Sequence, residues 1–156
     1  MNVLRAFCRD DRGAAAAEMA LVLPMLMALL FGGMEGGNFF WREHQVVKAA
    51  REGARFASRQ PLSGFDCTDG SIDAAVVDVA TIAAVTKANL VGDADVTVSV
   101  GACVVDSQRG IYATQPNGAP VVTVTVQMAY QGLFATMIFD EQMTLGASAQ
   151  SAVMGL

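Results

Sequence analysis

The sequence predicts an α+β chain: a long N-terminal transmembrane helix, then a small head with one further helix and a three-stranded antiparallel sheet. Three observations carry that prediction. Residues 19–34, MALVLPMLMALLFGGM, are sixteen positions without a charge. Beyond that run no helix breaker occurs before Pro61. The last third holds β-branched runs with period two, most clearly VVTVTVQMAY at 121–130. A length of 156 residues allows one domain, two at most.

Composition narrows the function classes. Hydrophobic residues make up 53% and charged residues 16%, with a mean hydropathy of +0.41. That balance is too apolar for a disordered chain and too poor in charge for an average soluble protein. Ten Lys and Arg against fifteen Asp and Glu give −5, so no global basic footprint for nucleic acid exists. One His and three Cys leave little material for a metal site or a His-dependent catalytic group. No cofactor or metal is expected, and an ordinary soluble enzyme is disfavoured.

The first element is the span. Residues 19–41 number twenty-three, about 35 Å as a helix, against a hydrocarbon core of about 30 Å. Phe39, Phe40 and Trp41 close it as an interfacial aromatic belt, with Arg42 directly after. A secretory signal peptide is a poorer fit. Its apolar run is shorter, and NFFWREHQ offers no small-residue cleavage site. A buried core helix is also a poor fit, because the remaining chain is too small to surround one so apolar. Basic residues flank the span on both sides: Arg5, Arg9 and Arg12 before it, and Arg42, Lys48, Arg51 and Arg55 after it. Charge alone therefore does not orient it. Cys67 and Cys103 both follow the span and suit a disulfide in an oxidising compartment, which favours the N-terminus inside. Two free buried thiols are the alternative.

At the start of the span a polar leader meets GAAAAEMALVLP, and the acidic Glu18 sits just inside the apolar stretch. A carboxylate at the bilayer centre costs about 2.5–3.5 kcal/mol on insertion scales, and less near a helix end. Such a charge calls for a partner or for snorkelling, helped by the helix N-terminal dipole. Gly13, four residues, Glu18 and an apolar helix together resemble the cleavage pattern of type IV pilin-like precursors. More closely, RGAAAAEMALVLPMLMALLFGGMEGG running into VVKAAREGARFA resembles the TadE-like minor pseudopilins of tight-adherence (Flp) pilus systems. The likeness covers residues 12–58 and rests on Gly13, Glu18, Pro24, Glu35 and the Ala49-Ala50-Arg51-Glu52 run. Met19 stands where the family usually has Phe.

The resemblance implies a pilin-like fold and a processing event. A membrane prepilin peptidase would cut between Gly13 and Ala14 on the cytoplasmic side, making Glu18 the fifth residue of the mature chain. Glu18 would then pair with the free N-terminal amine of a neighbouring subunit, and Cys8 would leave with the leader. The domains implied are a cleaved leader at 1–13, a transmembrane helix and stalk at 14–60, and a periplasmic or extracellular α+β head at 61–156. Expected partners are the prepilin peptidase, other pilin and pseudopilin subunits, the inner-membrane pilus assembly machinery and membrane lipid. The implied location is the bacterial inner membrane, with the cell surface or pilus after assembly. Glu18, Pro24 and Glu35 are assigned to assembly and recognition.

Other residues of the helix have readings of their own. Pro24 removes one backbone hydrogen bond and favours a kink or a melted turn. Gly32, Gly33, Gly36 and Gly37 form two overlapping G-x-x-x-G pairs, which let helix backbones approach closely in a membrane. Val46, Ala50, Gly53 and Ala57 fall on one side of the helical extension, a packing face for the head or for neighbouring helices. Lys48, Arg51, Arg55 and Arg59 fall on the other side, toward lipid headgroups, acidic heads of other subunits or solvent.

The head follows a Pro-, Ser- and Gly-containing turn at 60–70. Ser71 is expected to cap a second helix with Ile72, Val76, Val79, Ala83, Thr86 and Leu90 on one face and Gly92 as its stop. Strands are expected at 96–105, 121–130 and 143–153, with a long loop at 106–119. Residues 133–139 are expected as a helical turn on the sheet or at the membrane surface. Residues 42–59 carry a net +3 and residues 60–156 a net −7, so stalk and head could associate between subunits. Asp66, Asp69, Asp73 and Asp78 do not fit an EF-hand spacing and read as a solvated face. No nucleophile, phosphate-binding or metal motif is present. The leading function is a minor pseudopilin acting in pilus assembly, priming or adhesion. The alternative is a membrane-tethered adhesin outside any filament, and a membrane-bound periplasmic enzyme ranks third.

Overall fold

The computed structural model describes residues 11–104, 118–132 and 143–155. Helix α1 spans Asp11–Ala57, a 3-10 turn spans Leu62–Gly64 and helix α2 spans Val79–Lys87. Strands β1, β2 and β3 span Ala94–Val104, Ala119–Tyr130 and Met143–Ala152. This is the α+β arrangement that the sequence predicts: a long apolar helix, one shorter helix and a three-stranded antiparallel sheet. The chain divides into two units, Met1–Asn38 and Phe39–Leu156, and the boundary falls inside α1.

In the second unit the sheet order is β1-β2-β3, so the most β-branched strand lies in the centre. Register explains the period-two pattern. Val124 stands opposite Val98 on one side and Ala149 on the other, and Val126 opposite Val96 and Ala147. These residues share one face, and on β2 Val122, Val124, Val126, Met128 and Tyr130 are all buried. The opposite face carries Thr97, Ser99, Thr123, Thr125 and Gln127, short polar side chains suited to water. β1 and β2 pair continuously from Ala94 to Gly101, where the register shifts before Val104.

What covers the apolar face is the last third of α1. Val46, Ala50, Ala54 and Ala57 are buried in one cluster with Val122, Val124 and Val126. The small-residue stripe is therefore a packing face for the head's own sheet. Small residues are needed because the backbone runs close to its neighbours. A side chain at Gly53 would collide with Thr86 Oγ1 and come within 3.1 Å of Val124 Cγ1. Thr86 is itself buried, its hydroxyl donating to the Ile82 carbonyl at 2.8 Å. Gly53→Ala gains up to about 1 kcal/mol of helix propensity. Against that, overpacking costs about 1–3 kcal/mol, so the net change is a loss. A lower urea midpoint for the variant is the expected result; an unchanged or higher one would show that Thr86 and Val124 yield freely.

The sequence expectations for the second helix need correction. Helix α2 begins at Val79, capped by Asp78, rather than at Ser71. Ile72 instead bridges to Phe65, and Asp73 turns the chain, its carbonyl accepting from Val76 and Val77 and its side chain from the Ala75 N–H. The buried side chains of α2 are Ile82 and Thr86, so its inner face passes through Ile82 as well as Thr86. The helix also ends before the expected stop at Gly92: α2 closes at Lys87 with Ala88 as its C-cap, Leu90 lies beyond it, and Gly92, at φ 119°, turns the chain ahead of β1. Cys8, residues 105–117 of the β1–β2 connection and residues 133–139 lie outside the described residues.

Candidate functional site

The described part of the first unit is residues 11–38 of α1. Gly13 and Ala14 are exposed and already helical, since α1 begins at Asp11. The bond between them thus lies within described helix and not at a break in it. Glu18 lies one turn further on, exposed, and among the described residues no side chain pairs with it. Leu21, Met25, Leu29 and Phe31 are likewise exposed apolar side chains. The run is long and apolar enough to cross a membrane, with none of its most apolar window buried by this chain.

The helix continues through Pro24 without interruption, so no melted turn occurs there. Proline still lacks the N–H that would bond to the Ala20 carbonyl, which leaves that carbonyl without its usual donor. A side chain built at Gly32, Gly33, Gly36 or Gly37 would meet nothing within 4 Å. Among the described residues nothing packs closely on these glycines, in contrast to Gly53. Glu35 is half-buried. It follows Glu18 by seventeen residues (35 − 18), about 25 Å along the axis and about 100° around it. The two carboxylates therefore stand near opposite ends of the apolar run, on different faces.

After the apolar run, Lys48, Arg51, Arg55 and Arg59 are exposed, and Lys48 lies 4.0 Å from Glu52 one turn on. Glu52 also accepts from the Asn89 amide. Arg42 donates from Nη1 to the Val91 carbonyl at 3.2 Å, and Phe39 stacks edge-on against Tyr130 with centroids 5.3 Å apart. These contacts join residues 49 and 91 positions apart (91 − 42 and 130 − 39), and nothing local in the sequence marks them.

The acidic cluster of the head has a local explanation. Asp66 accepts from the Thr68 N–H at 2.7 Å, Asp69 from Ser71 at 2.9 Å and Asp73 from Ala75 at 2.9 Å. Asp78 accepts from both the N–H and the hydroxyl of Thr81. Each carboxylate fixes a turn or caps a helix. Ser71 holds the Asp69 carboxyl below its usual 3.8, and Thr81 does the same for Asp78. His44 is exposed, and among the described residues no three His, Cys, Asp or Glu side chains gather as metal ligands would. Cys67 and Cys103 are joined in a disulfide with Cα atoms 5.7 Å apart.

Comparison with known families places a boundary on the likeness. The family model described as TadE-like protein matches residues 13–55. No curated protein and no solved structure gives a significant match. The matched segment runs from Gly13 through the apolar run and stops at Arg55, two residues before α1 ends.

Proposed function

With residues 13–55 as a TadE-like segment, we propose that this protein is a minor pseudopilin of a tight-adherence (Flp) type IV pilus system. In this reading residues 1–13 are a leader that prepilin peptidase removes, residues 14–60 are span and stalk, and residues 61–156 form the head. The single observation that carries it is the match beginning at Gly13, with Glu18 five residues on, at the head of an apolar helix. A large head distinguishes the chain from a major pilin that is little more than its helix. The role is structural rather than enzymatic: the chain acts in assembly, priming or adhesion, with other pilin subunits and the inner-membrane machinery as partners.

The exposed carboxylate of Glu18 supports the same reading. Within lipid it lacks a partner among the described residues, and the amine freed at Ala14 of a neighbouring subunit would supply one. The N-terminus lies in the cytoplasm and the head in the periplasm, a direction supported by the Cys67–Cys103 disulfide, which needs an oxidising compartment.

The test is N-terminal sequencing of the protein from membranes of its native host, alongside a Glu18→Gln variant. A chain beginning at Ala14, and a variant that reaches the membrane yet fails to join pili, are the expected results. A chain that keeps residues 1–13, with Glu18→Gln fully active, would instead make the protein a static anchor and point to the tethered-adhesin role.

A further inference from the structure

The end of the head next to residues 39–42 of α1 carries apolar side chains that the fold leaves uncovered. Val91, in the turn after α2, is 55% exposed, and Met143, at the start of β3, is 48% exposed. Both are tied to the same stretch of helix. The Val91 carbonyl accepts from Arg42, and Met143 stands opposite Tyr130, whose ring packs edge-on against Phe39. On that stretch Phe40 is 61% and Trp41 55% exposed. Beside Arg42 and Val91 lies a shallow cavity of about 400 Å³, lined also by Asp93, Met128 and Gln131. It brings one cationic and one anionic group together with the apolar side chains of Val91 and Met128.

We propose that this end of the head is a membrane-contacting surface that seats on the phospholipid bilayer from which α1 emerges. The proposal rests on the reading of residues 19–41 as the span. If Trp41 lies at the lipid–water interface, Val91 lies within one side chain's reach of that level, because Arg42 bonds its carbonyl. Apolar side chains at that depth gain by entering the acyl boundary, while Arg42 and Asp93 suit the opposite charges of a zwitterionic headgroup. A water-facing surface would leave Val91 and Met143 uncovered, and Phe40 and Trp41 on the adjoining helix with them. Asp93 and Asp95, both exposed near this end, weigh against a need for anionic lipid.

The experiment uses the full chain in vesicles of zwitterionic lipid brominated on the upper acyl chain. A Cys8→Ser background leaves Cys67 and Cys103 as the native cysteines, already paired. Single cysteines at Val91, Met143 or Arg59 then carry an environment-sensitive fluorophore. Trp41 is the chain's single tryptophan and reports the depth of the span independently. Expected is quenching of Trp41 and a loss of about half the emission at positions 91 and 143, as for groups in the headgroup–acyl boundary. Position 59, near the far end of α1, should lose little. Quenching of Trp41 without quenching at 91 and 143 overturns the seat and leaves the span standing; that surface would then face water or another subunit. Equal quenching at 59 overturns it too, since the head would lie on lipid without a preferred end. An unquenched Trp41 removes the span itself, and this inference with it.

Discussion

A fragment of residues 39–156 folds cooperatively, and a fragment of residues 61–156 does not: that is the largest effect expected from this structure. The reason is that α1 supplies one wall of the head's core. Val46, Ala50, Ala54 and Ala57 are at most 2% exposed and share a cluster with the inner face of the sheet. Removing them bares Val122, Val124 and Val126, each fully buried in the intact chain. Burying a valine contributes about 1.5–3 kcal/mol, so three lose roughly 5–9 kcal/mol, comparable with the whole stability of a small domain at about 5–15 kcal/mol. Amide dispersion in two-dimensional NMR spectra and a urea melt of each fragment decide the matter. Matching cooperative transitions for the two fragments would show that the helix is dispensable.

Loss of the disulfide is the second large effect. Cys67 and Cys103 are 36 residues apart in sequence, and closing a loop of that length stabilises by roughly 3–4 kcal/mol in the chain-entropy account. The link joins the turn-rich segment at 61–78, which has little regular structure, to β1 at its register shift. Replacing both cysteines by serine should therefore lower the unfolding free energy by about that amount. Urea titrations of the two proteins, each with and without reductant, provide the measurement. Reductant should shift the native protein to the variant's midpoint and leave the variant unmoved. A shift below about 1 kcal/mol would mean that the segment is held without the link.

Much of this architecture is legible in the sequence, for physical reasons that differ by element. The apolar run and its helical extension are readable because nothing between residues 11 and 57 favours another backbone more strongly. The three strands are readable because β-branched residues with period two leave few alternatives. The stripe through Gly53 shows that α1 packs closely on something, yet periodicity cannot name the partner; Val124 and Thr86 are supplied by distant chain. The start of α2 was hidden for a local reason. Asp69 and Asp73 take the backbone N–H groups of Ser71 and Ala75, and that turn chemistry outweighs the helical spacing of Ile72 and Val76. As for the candidate site, Gly13, Glu18 and the paired glycines form a readable pattern. Among the described residues none of them has a partner in this chain, so the fold adds only that they stand without internal contacts.

The order of the elements along the chain also has a bearing on timing. The helix that forms one wall of the core is made first, and the central strand that it packs against ends at Tyr130, seventy-three residues after Ala57 (130 − 57). β3, which flanks that strand, comes later still. Contacts so distant in sequence are slow to form, because the intervening chain must be ordered before they return any stabilisation. During synthesis, the buried face at Val46, Ala50 and Ala54 therefore waits uncovered until the strands of the sheet have been made. The head closes in one late step, and the interval before it is when this sticky helix face is open to wrong partners and to helpers that shield it.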